Sequence, residues 1–135
     1  MGCREIRRAL AAFGVGLCAV TSVVQAHHSF ASEFDAARLL TLRGPIVIIE
    51  WVNPHAMLWI DVRETDGRRT RWGFELPPPN ALTRRGVRRN MLRPGETITV
   101  QAYAARDGRL FASAQTLTLA NGHRFARGRA ASANP

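Results

Sequence analysis

Apolar and polar residues alternate over much of this 135-residue chain, which is the pattern of half-buried β-strands. The clearest stretch is 55–63, where every second residue from Leu58 to Val62 is apolar. Segment 39–52 is rich in β-branched residues, and its Gly44-Pro45 pair predicts a bulge or an edge position. Three more strand segments follow, at residues 70–76, 97–104 and 110–119. The pattern therefore predicts an all-β protein.

One short helix interrupts this series of strands. Pro77-Pro78-Pro79 ends the third strand, because proline cannot donate a hydrogen bond to a neighbouring strand. Asn80 is the expected cap of a helix over 81–85, and Gly86 is a natural stop. The resulting order, β-β-β-α-β-β, predicts a small five-stranded Greek-key barrel of the OB type. An open β-sandwich is the competing architecture.

The N-terminal residues have the composition of a secretory signal peptide. Arginines within residues 4–8 precede an apolar run at 9–20, and Val24-Gln25-Ala26 fits a cleavage site. We expect cleavage between Ala26 and His27 after general secretory export, which fits better than the twin-arginine route. The mature protein would then be periplasmic or secreted, without a stable membrane anchor. The chain divides into a signal peptide (1–26), an N-terminal arm (27–38), the barrel (39–120) and a C-terminal tail (121–135) that frays after Phe125.

The net charge of the chain indicates which class of partner it could bind. The chain has a formal net charge of +9 and no lysine. Loss of a signal that contains three arginines and one glutamate would leave +7, and it would also remove both cysteines. Excess positive charge favours anionic partners. We expect a small anionic ligand or another periplasmic protein, and the predicted export argues that nucleic acid is not a partner.

The pair His27-His28 lies directly after the predicted cleavage site and suggests a metal site. An N-terminal histidine can offer a metal both its α-amino nitrogen and its imidazole, and copper(II) prefers such nitrogen donors. His55, beside the Asn-Pro turn, is the candidate for a third nitrogen ligand. His28 and the thioether of Met57 are the candidate assisting ligands. The alternative is a polar tail at a processing site and a structural turn.

Two carboxylates lie within strand segments near these candidates. Glu50 or Glu75 could orient a ligand histidine through a hydrogen bond to its other ring nitrogen. The alternative interpretation is an arginine-paired carboxylate on a solvated sheet face, and this chain has many arginines.

A second hypothesis is a glycan-binding or anion-binding module. Trp59 is expected on the outer face of the sheet, where OB barrels bind oligosaccharides. Arg84 and Arg85, with three further arginines near the helix, could supply an anion-binding patch, although such a run is commonly a solvated face. A structural or protein-interaction domain is the third possibility. No serine-nucleophile, zinc-protease or phosphate-loop motif is present, so we expect a non-enzymatic protein.

Several motifs resemble a family of small exported bacterial proteins, the domain of unknown function 6152. The similar segments are His27-His28-Ser29-Phe30, Glu33-Phe34-Asp35, Glu50-Trp51-Val52-Asn53-Pro54-His55, Trp72-Gly73-Phe74-Glu75-Leu76, Pro79-Asn80-Ala81-Leu82, Arg84-Arg85-Gly86 and Leu92-Arg93-Pro94-Gly95-Glu96. Val87 departs from the pattern, since tryptophan is expected there. The resemblance implies an exported β-rich domain and no particular activity.

Overall fold

The computed structural model describes residues 30–127. Its elements are α1 (Phe30–Glu33), β1 (Phe34–Glu50), β2 (Met57–Arg63), β3 (Arg69–Glu75), α2 (Pro79–Arg84), a 3-10 turn (Arg89–Met91), β4 (Thr97–Ala105), β5 (Phe111–Leu119) and β6 (Arg124–Ala126). Neither helix in this range is long and apolar enough to cross a membrane. The predicted signal peptide, its cleavage site, His27 and His28 lie outside the described residues.

The strands form one sheet that closes into a barrel. Their order is β3-β2-β1-β4-β5-β6 with antiparallel neighbours, and β3 also pairs in parallel with β5. The closing pairs join Gly73 to Phe111 and Glu75 to Ser113. Because α2 lies between β3 and β4, this is the OB topology, and the predicted fold is confirmed. Direct pairing of β3 with β5 excludes the open sandwich.

β1 belongs to two sides of the barrel. Its first half pairs with β4, while the residues from Ile46 onward pair with β2. At the bend, a Cβ on Gly44 would lie 2.2 Å from the carbonyl oxygen of Asp61, so no larger residue fits there. Pro45 follows, and the register shift lies between Ile46 and Ile48, close to the bulge that the sequence predicts.

The barrel interior is filled by the apolar face that the alternation predicts. Residues 58, 60 and 62 of β2 and residues 98, 100 and 102 of β4 are all buried. Full burial of one large aliphatic or aromatic side chain contributes about 1.5–3 kcal/mol. Phe74 and Leu76 of β3 complete this face. The barrel is therefore packed with side chains and holds no open channel among the described residues.

Helix α2 differs from its prediction at its start. It begins at Pro79 instead of Ala81, and no side chain caps its N-terminus, so the predicted Asn80 cap is wrong. Proline in the first turn removes one of the unpaired N–H groups that a cap would serve. The Thr83 hydroxyl donates a hydrogen bond to the Pro79 carbonyl (3.0 Å) inside the helix.

Both ends of the described chain are more structured than the sequence indicates. In the predicted arm, α1 and the start of β1 pack onto the barrel exterior, and Phe34 is buried against Phe111. In the predicted tail, β6 pairs with the end of β5 through Leu117 and Phe125. These short elements gain their order from tertiary contacts, which a periodicity of three or four residues cannot reveal.

Candidate metal site and outer aromatic face

His55 lies at the end of the β1–β2 loop, and the backbone fixes it beside the end of β3. The N–H of the next residue, Ala56, donates to the Pro77 carbonyl (3.4 Å). The Ala56 carbonyl in turn accepts from the Leu76 N–H (2.8 Å). Ala56 is fully buried, so the loop is anchored directly after the histidine.

His55 faces the carboxylate that the sequence analysis proposed as its partner. His55 Nδ1 lies 3.4 Å from Glu75 Oε2. The histidine side chain is 40% exposed and the glutamate side chain 15% exposed. A carboxylate on one ring nitrogen holds the imidazole in a fixed orientation and leaves the other nitrogen for a ligand. The geometry thus suits a histidine prepared to bind a metal through Nε2.

Glu75 has a second neighbour, an arginine that the sequence alone does not identify. Arg127 Nη2 lies 3.9 Å from Glu75 Oε1, and its Nη1 donates to the hydroxyl of buried Ser113 (2.6 Å). The Arg127 N–H donates to the Gln115 carbonyl (2.7 Å). Glu75 is therefore both histidine-facing and arginine-paired. Arg127 falls within the predicted tail, where no local pattern suggests an order of this kind.

The other two candidates near this site occupy the same outer row of the barrel. Met57 is the direct cross-strand partner of Glu75, and Glu50 is the partner of Met57. Met57 is half-buried, two residues from His55 on the face that carries Glu75. Glu50 is exposed, and its carboxylate forms no hydrogen bond or ion pair within residues 30–127. The structure therefore brings Met57, Glu75 and His55 together, and it leaves Glu50 at the margin.

The same row leads from Glu75 towards the N-terminal end of the described chain. Ser113 pairs with Glu75 on one side and with Tyr103 on the other. The Phe30 ring packs against the Tyr103 ring with centroids 5.7 Å apart. Two strand spacings, about 10 Å, separate Tyr103 from Glu75. The base of the N-terminal arm and the histidine site thus lie on one outer face.

Two arginines of the β4–β5 loop hold α1 in this position. The Arg106 N–H donates to the Glu33 carbonyl (3.0 Å), and its Nε donates to the Ala31 carbonyl (2.9 Å). Arg109 forms an ion pair with the Glu33 carboxylate. The direction in which the chain leaves Phe30 is therefore set by side chains as well as by the sheet.

A row of aromatic side chains lies beside the histidine site. Trp59, Gly73 and Phe111 are successive partners on β2, β3 and β5. A Cβ on Gly73 would lie 2.7 Å from the Phe111 ring and 3.0 Å from Trp59 Nε1, so the two rings close over the glycine. The Arg109 guanidinium lies 4.8 Å from the Phe111 ring centroid. Trp59 is on the outer face, as the alternation predicts.

The arginines proposed to act with Trp59 are elsewhere. Arg84 ends α2 and Arg85 follows it, and both are exposed. No contact that the structure gives within residues 30–127 joins either of them to Trp59. Trp59 and Phe111 instead both lie over Gly73, and a single combined site of the predicted composition is not formed in this part of the chain.

Ion pairs also cross the outer face of the β2–β3 hairpin. Arg71 Nε donates to Asp61 Oδ1 (2.9 Å), and this hydrogen bond lowers the pKa of Asp61 and raises that of Arg71. At the turn, hydrogen bonds from the Arg68 side chain and backbone lower the pKa of Asp66. Both carboxylates are solvent-accessible, so these pairs organise the hairpin surface more than they stabilise the fold.

Residues 30–127 contain no cluster of three or more histidine, cysteine, aspartate or glutamate side chains that could hold a metal alone. A metal at His55 therefore needs a ligand from outside this range. At the β5–β6 turn, the His123 ring packs against the Phe125 ring (4.5 Å between centroids).

These features define a small OB-type barrel with a carboxylate-facing histidine on its outer surface. The chain belongs to DUF6152, a family of unknown function, whose model matches residues 15–114. This family is the one that the sequence motifs indicate. A search of curated proteins gave no match.

Solved structures of similar fold include two of the mitochondrial single-stranded DNA binding protein Rim1 from S. cerevisiae. One is 16% identical with a TM-score of 0.49, covering 64% of this chain and 94% of that chain. The other, labelled with selenomethionine, is 18% identical with a TM-score of 0.45 and the same coverage. Because proteins named for binding single-stranded DNA share the fold, the prediction that excluded nucleic acid as a partner was wrong. Likeness at this identity describes the fold alone and assigns no ligand to this chain.

Proposed function

We propose that this chain is an exported, non-enzymatic protein that binds copper on the outer face of its barrel. His55 would supply one nitrogen, and the α-amino group and imidazole of His27 would supply two more after cleavage behind Ala26. The observation that carries the proposal is the contact between His55 Nδ1 and Glu75 (3.4 Å). It leaves Nε2 of an accessible imidazole for a metal and strengthens that nitrogen as a donor.

The position of the base of the arm supports this arrangement. Phe30 packs on Tyr103, and Tyr103 is two strand spacings, about 10 Å, from Glu75. The described chain therefore begins on the outer face that carries His55. The proposal requires that residues 27–29 extend along this face towards the histidine.

The donor set suits copper in both of its oxidation states. Three nitrogens favour copper(II), and the nearby thioether of Met57 is a soft donor for copper(I). His28 remains a candidate for a further nitrogen. Arg127 holds the far oxygen of Glu75, which keeps the carboxylate directed at His55. The proposal involves metal binding and no chemical reaction.

A copper(II) titration tests the proposal. We would compare the protein that begins at His27 with a version that carries one alanine before His27. The added residue removes the chelate between the α-amino group and the ring of His27. The affinity for copper(II) should fall by at least about tenfold, because the metal loses one nitrogen ligand. Intact mass of the exported protein would establish whether its chain begins at His27.

Two substitutions sharpen the test. Glu75→Gln should lower copper affinity by about 10–100-fold, the usual cost of losing a partner of a ligand histidine. His123→Ala is the matched control, because it removes a histidine from the other end of the barrel. Equal affinity of the native and alanine-extended proteins, or equal losses in the Glu75 and His123 variants, would contradict the proposal.

A glycan-binding module is the second candidate, and the aromatic row favours it. Trp59 and Phe111 meet over Gly73 on the sheet face that OB barrels use for oligosaccharides. Trp59→Ala should then abolish retention on an immobilised anionic polysaccharide and leave copper affinity unchanged. Undiminished retention would dismiss this candidate.

A further inference from the structure

The segment between β3 and β4, which includes α2, is unusual in its charge. Residues 76–95 contain five arginines and no acidic residue. We name this surface the arginine pole, and its members are Arg84, Arg85, Arg88, Arg89 and Arg93. All five are exposed.

Three buried side chains hold the arginine pole against one end of the barrel. Leu82, Val87 and Leu92 are 3%, 1% and 1% exposed and belong to the core. The Val87 N–H also donates to the Leu82 carbonyl (3.0 Å). Four of the arginines lie between these anchors and Arg93 directly follows the last, so a fixed lid presents them to solvent. Val87, the position that departs from the family pattern, serves here as a core anchor.

The guanidinium groups of the arginine pole have no carboxylate partners in the described part of the chain. Elsewhere, ion pairs join Arg68 to Asp66, and Arg71, Arg109 and Arg127 are paired in the same way. Within residues 30–127, no ion pair involves any of the five pole arginines. Their positive charge is therefore uncompensated over one end of the molecule, and it is available to an anionic partner.

Apolar groups flank these charges. The Arg89 guanidinium lies 5.3 Å from the centroid of the Trp51 ring, and neighbouring Val52 is 47% exposed. Arginine beside tryptophan and an exposed aliphatic residue is the composition of proteins that lie at a bilayer interface. Single-stranded nucleic acid requires free aromatic faces for stacking, whereas Arg89 already covers one face of Trp51.

We infer that the arginine pole docks the protein on a bilayer surface that carries anionic phospholipid headgroups. This inference does not rest on the copper site, which lies on the outer face of β2, β3 and β5. Each arginine near such a surface strengthens binding about fivefold, the equivalent of 1 kcal/mol. Binding should weaken steeply with salt, because the attraction is screened beyond about 8 Å at physiological ionic strength.

Sedimentation with vesicles tests the inference on the full chain. The two probes are vesicles of phosphatidylcholine alone and of phosphatidylcholine mixed with phosphatidylglycerol. We expect binding to the mixed vesicles only. The Arg84→Gln, Arg85→Gln double variant should bind about 25-fold more weakly, at fivefold for each arginine. The Arg38→Gln, Arg43→Gln variant is the matched control, because it removes two exposed β1 arginines that have no ion pair within residues 30–127.

The control variant should lose about twofold or less, because its two arginines are on β1 and not in the segment that forms the arginine pole. Equal loss in the two double variants would overturn the inference, since total charge and not the arginine pole would then control binding. Absence of binding to the mixed vesicles, together with arginine-dependent binding to a single-stranded oligonucleotide, would also overturn it. Val52→Ser should weaken vesicle binding at high salt, and an unchanged affinity would contradict the interfacial position of Val52.

Discussion

Two regions of this protein differ in the partners of their arginines. On the β2–β3 hairpin and the β4–β5 loop, arginines such as Arg71 and Arg109 lie against carboxylates of neighbouring segments. On the arginine pole, five arginines extend from a lid without such neighbours in the described part of the chain. The number of arginines therefore does not by itself indicate whether these side chains stabilise the fold or bind a partner. An arginine organises the fold where the sheet register brings a carboxylate opposite, and it remains free for a partner where no carboxylate is near.

The largest effect should come from the buried anchors of the lid. Leu92→Ala would leave a cavity between the arginine pole and the barrel, and it should lower the free energy of unfolding by about 2–5 kcal/mol. Arg93→Ala, its exposed neighbour, should change that free energy by less than about 0.5 kcal/mol. Urea unfolding followed by tryptophan fluorescence measures both. A comparable loss in the two variants would mean that the pole arginines contribute to the fold.

A second test concerns the closing seam of the barrel. Gly73→Ala places a Cβ where the Phe111 ring and Trp59 Nε1 now lie, at 2.7 and 3.0 Å. Overpacking of this kind should cost about 1–3 kcal/mol of unfolding free energy. Gly67→Ala is a useful reference, because its Cβ would meet nothing within 4 Å although its φ is positive. An undiminished stability of Gly73→Ala would contradict the close ring contacts, because the φ of Gly73 is not positive and alanine carries no backbone penalty there.

Arg127 offers the clearest contrast with the arginine pole. Arg127→Ala removes the donor to the buried Ser113 hydroxyl and one neighbour of Glu75, so it should cost about 1–3 kcal/mol of unfolding free energy. It should also weaken copper binding, because Glu75 would hold His55 less firmly. Arg85→Ala should alter neither quantity. A stable Arg127 variant with unchanged copper affinity would contradict the claim that paired arginines stabilise the fold and unpaired ones do not.

The smallest effect is the acid dependence of stability. Hydrogen bonds from arginines lower the folded-state pKa of Asp61 and Asp66 below the ordinary value of 3.8. Between the lowered value and 3.8 the unfolded state binds more protons, so stability rises with pH in that window. The contribution is fully present above pH 3.8 and is lost as the pH falls through the lowered values. Arg71→Gln should flatten this acid limb, whereas Arg85→Gln should leave it unchanged in unfolding curves measured across that range.

Much of the barrel could be predicted because its signals are local. The alternation from Leu58 to Val62 fixes which face of β2 is inward, and the three prolines at 77–79 end β3 where the structure ends it. The Gly44-Pro45 pair likewise marks the bend of β1. These signals depend on backbone chemistry and periodicity, so they do not require knowledge of distant residues.

The partners of the candidate site depend on distant residues and were only partly foreseen. Either Glu50 or Glu75 was proposed to orient a ligand histidine, and the register of β2 with β3 brings Glu75 beside His55. Arg127 and Ser113 could not be foreseen. Their contact depends on the parallel pairing of β3 with β5 and on β6, whose three residues carry no periodicity of their own. The same holds for Phe34, which packs against Phe30 and against the distant Phe111.

The bend of β1 at Gly44 has a consequence for the cooperativity of unfolding. β1 joins the β2–β3 hairpin on one side to the β4–β5 hairpin on the other, and within residues 30–127 the other strand pairing between them is the short parallel seam. Neither hairpin can leave the barrel without exposing the backbone of β1. Amide hydrogens on both sides of the bend should therefore exchange with solvent only when the whole domain opens. The exchange rates of these β1 amides would therefore measure the global stability of the protein.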